Sequence, residues 1–188
     1  MSGSMFLASL MSFFPTVNAP ALNRSQRINR ESVIIADFEK QVSNYVKLRK
    51  SATAQLPALK TTASPAKILE YQHALAAKIV AARPHANQGN IFTPAIATEF
   101  RHLIQITMHG PDAGRIHASL QRGEPVISKM EVNHRYPAMT PVETTPPSLL
   151  LNLPKLPDGL EYRVVGHDLV LHDVDANLVV DFISGAIP

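Results

Sequence analysis

The chain contains no cysteine and no tryptophan, and only 6% of its residues are aromatic. Without thiols there is no cysteine nucleophile, no thiolate metal site and no disulfide. So few aromatics argue against an extended platform on which bases or sugars could stack. Charged residues are also sparse, at 18% against 45% hydrophobic, which is the balance of a globular chain and not of a disordered one. No apolar run reaches the ~18–20 residues that span a bilayer. Also missing are a G-x-S-x-G elbow, a P-loop, a dinucleotide fingerprint and an H-E-x-x-H pair, so the common signatures of hydrolases, nucleotide enzymes and zinc proteases do not apply.

What is present is unevenly placed. Residues 1–110 carry 12 Lys/Arg against 5 Asp/Glu, and residues 111–188 carry 6 against 10, so charges of +7 and −4 sum to the net +3. Opposite halves can attract each other within one fold, or the basic half can present a face to nucleic acid or anionic lipid. No basic run exceeds Lys47-Leu48-Arg49-Lys50, so nucleic acid is not the favoured partner.

At the N-terminus, Met5–Phe14 has the length of a signal-peptide apolar core and is followed by Pro15 and the small residues Val17-Asn18-Ala19. Residues 1–22 are therefore expected to be a signal peptide or an apolar N-terminal segment. The protein is expected in the periplasm or the medium, with a cytoplasmic location as the alternative. Neither Lys nor Arg precedes the apolar core, and Pro20 follows the first small cluster directly.

Residues 31–188 read as a single α+β domain: three or four helices over 32–122, a Pro-rich wrap over 124–159 and a β meander over 160–184. Asn23 to Arg30 is polar and basic and reads as a linker. Around Phe38, the residues Ile34, Ile35, Val42, Tyr45, Val46 and Leu48 gather on one side of a helix from Ser32 to Lys50. Ser64-Pro65 and Thr93-Pro94 each place a capping side chain before proline at the first helical position. The stripes behind them are Ile68, Leu75, Ile79 and Ala82, then Ile96, Phe100, Leu103 and Ile104. A short fourth helix is expected over Asp112–Arg122.

Eight of the fifteen prolines follow Glu124, and periodicity breaks down there. Met130–Tyr136 alternates and reads as an edge strand that Pro137 ends, and Ser148–Leu151 as a single helical turn. Beyond them, Gly166-His167 reads as a two-residue hairpin turn that pairs Val165 with Asp168, Val164 with Leu169 and Tyr162 with Leu171. Alternation then puts Tyr162, Val164, Leu169 and Leu171 on one face, and Arg163 and Val170 on the other. Asp173–Asn177 turns the chain into a third strand, Leu178–Ile183. One apolar face needs a cover, which the helices supply.

Three constellations resemble chemistry. Glu70/His73 and Glu99/His102 are Glu-x-x-His pairs on successive helices, as in di-iron bundles, but their helical phases lie mostly away from the apolar stripes. His167, Asp168, His172, Asp173, Asp175 and Asp181 crowd the β region, in a density that could hold zinc or a harder cation. Strand alternation and turn positions disperse them, and Asp173-x-Asp175-x-Asn177 lacks the later ligands of a calcium loop, with Leu178 and Ser184 in the sixth and twelfth places. His134 within Asn133-His134-Arg135-Tyr136 is the third; strand-edge polarity accounts for it more simply.

The run LPKLPDGLEYRVVGHDLVLHDVDANLVVDFI resembles the closing segment of a group of uncharacterised bacterial exported proteins. Those look like a signal peptide, a helical middle and a Leu-Glu-Tyr-Arg … Asp-x-x-Ala-Asn-Leu-x-Val-Asp ending. The resemblance covers about the last thirty-five residues well and the helices loosely. It implies export from a bacterial cell and brings no activity with it.

Together these readings describe a non-catalytic exported module, structural or partner-binding, with no metal or cofactor assigned. The expected partner is another protein, met by strand addition at the meander's edge or through the Pro-rich wrap. A metal-dependent hydrolase drawing on His134, His167, Asp168, His172 and Asp173 is the alternative. A basic helical face for nucleic acid or anionic lipid is the second alternative.

Overall fold

A computed structural model describes residues 24–58, 64–121, 130–136 and 146–188. The apolar N-terminal segment and the parts of the Pro-rich wrap over 124–129 and 137–145 lie outside the described residues. The element order is α1 (Arg24–Thr53), α2 (Pro65–Ala82), α3 (Pro94–Met108), α4 (Ala113–Gln121), α5 (Pro147–Leu150), β1 (Leu160–Val165), β2 (Asp168–Asp173) and β3 (Leu178–Ile183). The arrangement is α+β, with helices first and a three-stranded antiparallel sheet last.

α1 begins at Arg24, so residues 24–30 of the expected linker are helical instead, and Asn23 lies outside the described residues. Nothing in its thirty residues breaks a helix, since it contains neither glycine nor proline; once a helix is nucleated downstream, extending it through polar residues costs little. Its first turns cover no core, which is why no apolar stripe announces them: Ile28 and Val33 are 52% and 68% exposed. α2 and α3 start at the two expected prolines, but neither Ser64 nor Thr93 makes a side-chain capping bond. Their carbonyls instead accept the first helical bonds, from Ile68 and Ala97. Ile68 is 39% exposed and Ala82 is exposed, so the buried stripe of α2 narrows to Leu75, Ala76 and Ile79.

The sheet follows the expected register, with Val165 opposite Asp168, Val164 opposite Leu169 and Tyr162 opposite Leu171. Gly166 supplies the positive φ of +59° that the first turn position needs. β2 and β3 pair through a bulge: Leu171 faces Asp181 while His172 faces Val179, leaving Val180 as an extra residue. Leu178, Val180 and Ile183 consequently join the helix-side core with Leu169 and Leu171, while Val179 and Phe182 point the other way.

α1 packs on both α2 and α3. At the centre, Phe38 stacks on Phe92 and meets Phe100 edge-on, and Phe100 meets Tyr162 of β1 edge-on, with ring centroids 5.7, 4.8 and 6.0 Å apart. This aromatic cluster joins the helices to the sheet, as such geometries favour.

The far face of the sheet is also covered. Met130, Val165, Val170, Val179 and Phe182 form a second buried cluster, with Val132 and Tyr136 against it. Residues 130–136 are not the full edge strand expected. A turn bonds His134 N to Glu131 O, Asn133 takes φ +66°, and Arg135 alone makes a β-bridge, to Leu178. Three further backbone bonds, Asn133 N to Val179 O, Val179 N to His134 O and Tyr136 N to Asn177 O, hold the segment along β3. It acts as a strap that crosses the far face and occupies the outer edge of β3.

Candidate functional site

β2 and the ends of its neighbours bring the polar residues of the β region into three separate groups. The first lies on the helix side. Asp173 is fully buried at the end of β2; its Oδ2 accepts the Tyr45 hydroxyl at 2.7 Å and its Oδ1 accepts Ala176 N at 3.0 Å. Arg49, one turn beyond Tyr45 on α1, sets Nη1 3.7 Å from Asp173 and donates Nη2 to Asp175 at 2.9 Å. Arg83 lies over the Tyr45 ring at 5.3 Å and donates to Val180 O. Burial, and then the charge and hydrogen bond of Asp173, push the Tyr45 hydroxyl far above its ordinary pKa, against the opposing charges of Arg83 and Arg49. Burial pulls the Arg83 guanidinium below its ordinary value, with Tyr45 and Asp181 opposing.

The second group is on the far face. His172 is buried; Nδ1 donates to Glu161 Oε1 at 2.9 Å, and Nε2 lies 3.1 Å from Asn177 Oδ1. Arg163 donates to the same Glu161 oxygen, and Tyr136 of the strap tilts over the imidazole with ring centroids 4.6 Å apart. Burial alone would raise the Glu161 carboxyl, but the bonds and charges of His172 and Arg163 outweigh it and hold it below its ordinary value.

The third group is the hairpin end. His167 Nδ1 donates to Ile187 O at 2.9 Å, and Asp168 Oδ1 accepts Gly185 N at 3.0 Å. Both residues thereby tie the C-terminal turn to the hairpin. His134 sits apart on the strap, its side chain 68% exposed, 3.4 Å from Glu131 and 3.3 Å from Val132 O.

The structure thus disperses the five candidates: Asp173 faces the helices, His172 the far face, His167 and Asp168 the hairpin end, and His134 solvent. Among the described residues, no three His, Asp or Glu side chains converge as a metal-binding group. Glu70 and His73 are exposed on α2, and Glu99 and His102 are half-buried on α3.

Sequence reasoning missed how Asp181 is used. It is fully buried in the middle of β3, and its carboxylate accepts the backbone N–H groups of Gly89, Ile91 and Phe92 at 2.9, 2.7 and 2.8 Å. This single side chain anchors the loop that leads into α3. A carboxylate within an apolar strand was the available signal, because such a group has to find donors.

Open concavities lie elsewhere on the surface. One of about 630 Å³ runs along the Pro-rich wrap between Pro147, Leu150, Pro154, Leu156 and the outer side of β1. Another, of about 650 Å³, lies between the end of α1, α2 and Val174-Asp175. A third, of about 450 Å³, lies between α1, α3 and Asn152-Leu153-Pro154. No helix among the described residues is long and apolar enough to cross a membrane. No family model matches the chain, and no curated protein or solved structure matches it significantly.

Proposed function

We propose that the chain is a non-catalytic exported module that binds another protein along its Pro-rich wrap. One observation carries this reading: the acids and histidines of the sheet are spent on the fold. Asp181 holds a loop, Asp173 holds Tyr45 and its own turn, His172 joins two strands to a turn, and Asp168 with His167 holds the C-terminal end. A catalytic acid or base needs free lone pairs or protons aimed at a substrate, whereas these are aimed at backbone and side chains of the chain itself. The concavities are lined largely by aliphatic side chains and proline, which suits recognition by burial. Because the strap occupies the outer edge of β3, strand addition there is replaced in this reading by contact along the wrap.

Export is tested by expressing the full chain in a bacterium, fractionating the cells and sequencing the N-terminus. The expected product is periplasmic or secreted and has lost about the first twenty residues; a cytoplasmic chain with its N-terminus intact overturns export. Elemental analysis of the purified protein tests the rest of the reading. Stoichiometric zinc, iron or calcium that disappears with His172→Ala would replace it with the metal-dependent hydrolase.

A further inference from the structure

We infer that the groove between α1 and α3 is a docking site for a cationic amphipathic helix of a partner protein; the inference rests on the partner-binding reading above. Its floor is apolar, with Ile28 and Ile35 from α1, Leu103 from α3 and Leu153 from the end of the wrap. Ile28, Ser32, Ile35 and Glu39 follow one another at spacings of four, three and four along α1. The groove therefore runs beside the helix for about 16 Å, or three turns. That length suits a helical segment anchored by side chains at i, i+3 or i+4, and i+7. Ile28, 52% exposed at one end, leaves an aliphatic wall open to be covered.

Charge identifies the occupant. Glu31, Glu39 and Glu99 line this groove, and among the described residues its lining includes neither Lys, Arg nor His. The surrounding chain has the opposite character: α1 carries seven Lys/Arg against three Asp/Glu, and the whole protein is +3. α1 and α3 together hold four carboxylates, Glu31, Asp37, Glu39 and Glu99, and three of them border this one groove. An apolar floor between carboxylates is complementary to an apolar helix stripe flanked by Lys or Arg, and it repels an acidic one. Residues 1–23 contain no charged side chain, so as a rival occupant that segment would leave the three carboxylates unanswered.

The test uses the chain of residues 1–188 and two synthetic helical peptides with the same leucine pattern, one with lysine and one with glutamate at the polar positions. Binding is read by fluorescence anisotropy at low and high salt. The lysine peptide is expected to bind at least roughly tenfold more tightly than the glutamate peptide. Its affinity should weaken as salt rises. Glu31→Gln, Glu39→Gln and Glu99→Gln combined should cost it roughly tenfold. These are surface changes, and an unaltered circular dichroism spectrum confirms the fold; Ile28→Ser tests the apolar wall separately and should also weaken binding. Equal binding of the two peptides, or an affinity untouched by the triple variant, overturns the inference. So does no binding at all, the result expected if the N-terminal segment or a second copy of the chain fills the groove. Such a failure in a protein that is exported and carries no metal removes only the groove assignment and leaves the broader reading in place.

Discussion

Tyr45 and Asp173 stand 128 positions apart, yet the hydroxyl of one donates to the carboxylate of the other at 2.7 Å in the buried seam between α1 and β2. This bond, with Arg49 bridging toward Asp175 beside it, registers the long first helix against the last hairpin. Tyr45→Phe keeps the ring and its packing but leaves Asp173 Oδ2 without its donor. A loss of about 1–3 kcal/mol is expected, because a buried acceptor is left without a hydrogen bond. Urea denaturation measures it, and Tyr45→Phe combined with Asp173→Asn should cost less than the sum of the two single changes. Strict additivity would show that the contact contributes nothing of its own.

The two buried tyrosines are expected to make stability fall at alkaline pH. Burial raises both Tyr45 and Tyr162 far above the ordinary value near 10, with Asp173 adding to the effect on Tyr45. The folded chain therefore holds these protons more tightly than the unfolded chain does. The stabilisation is complete below about pH 10 and falls away as pH rises beyond it. Tyr162→Phe should reduce the steepness of that decline in unfolding free energy measured against pH. An alkaline arm of unchanged slope would remove Tyr162 from the account.

On the acid side the sign reverses. Glu161 is held below its ordinary value by His172 and Arg163 despite partial burial. Its contribution is present above the ordinary carboxylate range and is lost as pH falls through the lowered value. With the side chain 32% exposed, the effect is modest, since solvent screens it. Glu161→Gln should flatten the onset of acid unfolding, and amide exchange in the strap at Tyr136 should quicken as the pair with His172 is lost.

Gly159 has two reasons to lack a side chain. Its φ is +81°, and a Cβ there would run into the guanidinium of Arg49. Gly159→Ala should cost about 1–3 kcal/mol from backbone strain, with a further loss as Arg49 is displaced from Asp173 and Asp175. In an Arg49→Ala background the same substitution should cost less, leaving only the backbone component. Equal costs in both backgrounds would show that Arg49 yields freely.

Asp181 gives the sharpest local readout. Asp181→Ala strips the acceptor from three backbone N–H groups of the loop at once, at Gly89, Ile91 and Phe92, and from Phe182 N beside it. A cost of roughly 3 kcal/mol or more is expected. Hydrogen exchange should show these three amides losing protection well before those of α2. Protection retained at all three would mean that the loop is held by other contacts.

Much of the sheet was legible because its signals are local. The Gly166-His167 turn sets its own register, and the polar Asp173–Asn177 stretch marks the next turn; both pairings join strands that are neighbours in the sequence. The prolines at 65 and 94 likewise announce two helix starts. Arg24 to Arg30 is not legible as helix, because a helix that projects past the core has no apolar stripe to show. The strap is half legible: alternation in Met130–Tyr136 shows its affinity for a sheet, but Asn133 in the left-handed region and the second hydrophobic cluster depend on a face that only the tertiary fold creates. The polar groups were the least legible. Tyr45 sits on the apolar stripe of α1 and signals that its hydroxyl needs a partner, but chain order does not reveal that the partner is Asp173.

The extra residue at Val180 is a phase switch. Counting alternately from Leu178 would send Asp181 outward and Phe182 inward; the bulge exchanges them, so that the carboxylate reaches the donors of the 89–92 loop and the ring joins Met130 under the strap. The bulge that absorbs Val180 thus decides which side of the sheet receives a charge and which a phenyl group. Deleting Val180 would leave a regular ladder with Asp181 and Phe182 on these same faces, whereas forcing all six residues of β3 into strict alternation would exchange them. The placement of the charge and of the ring rests there on a backbone irregularity, not on any one side chain.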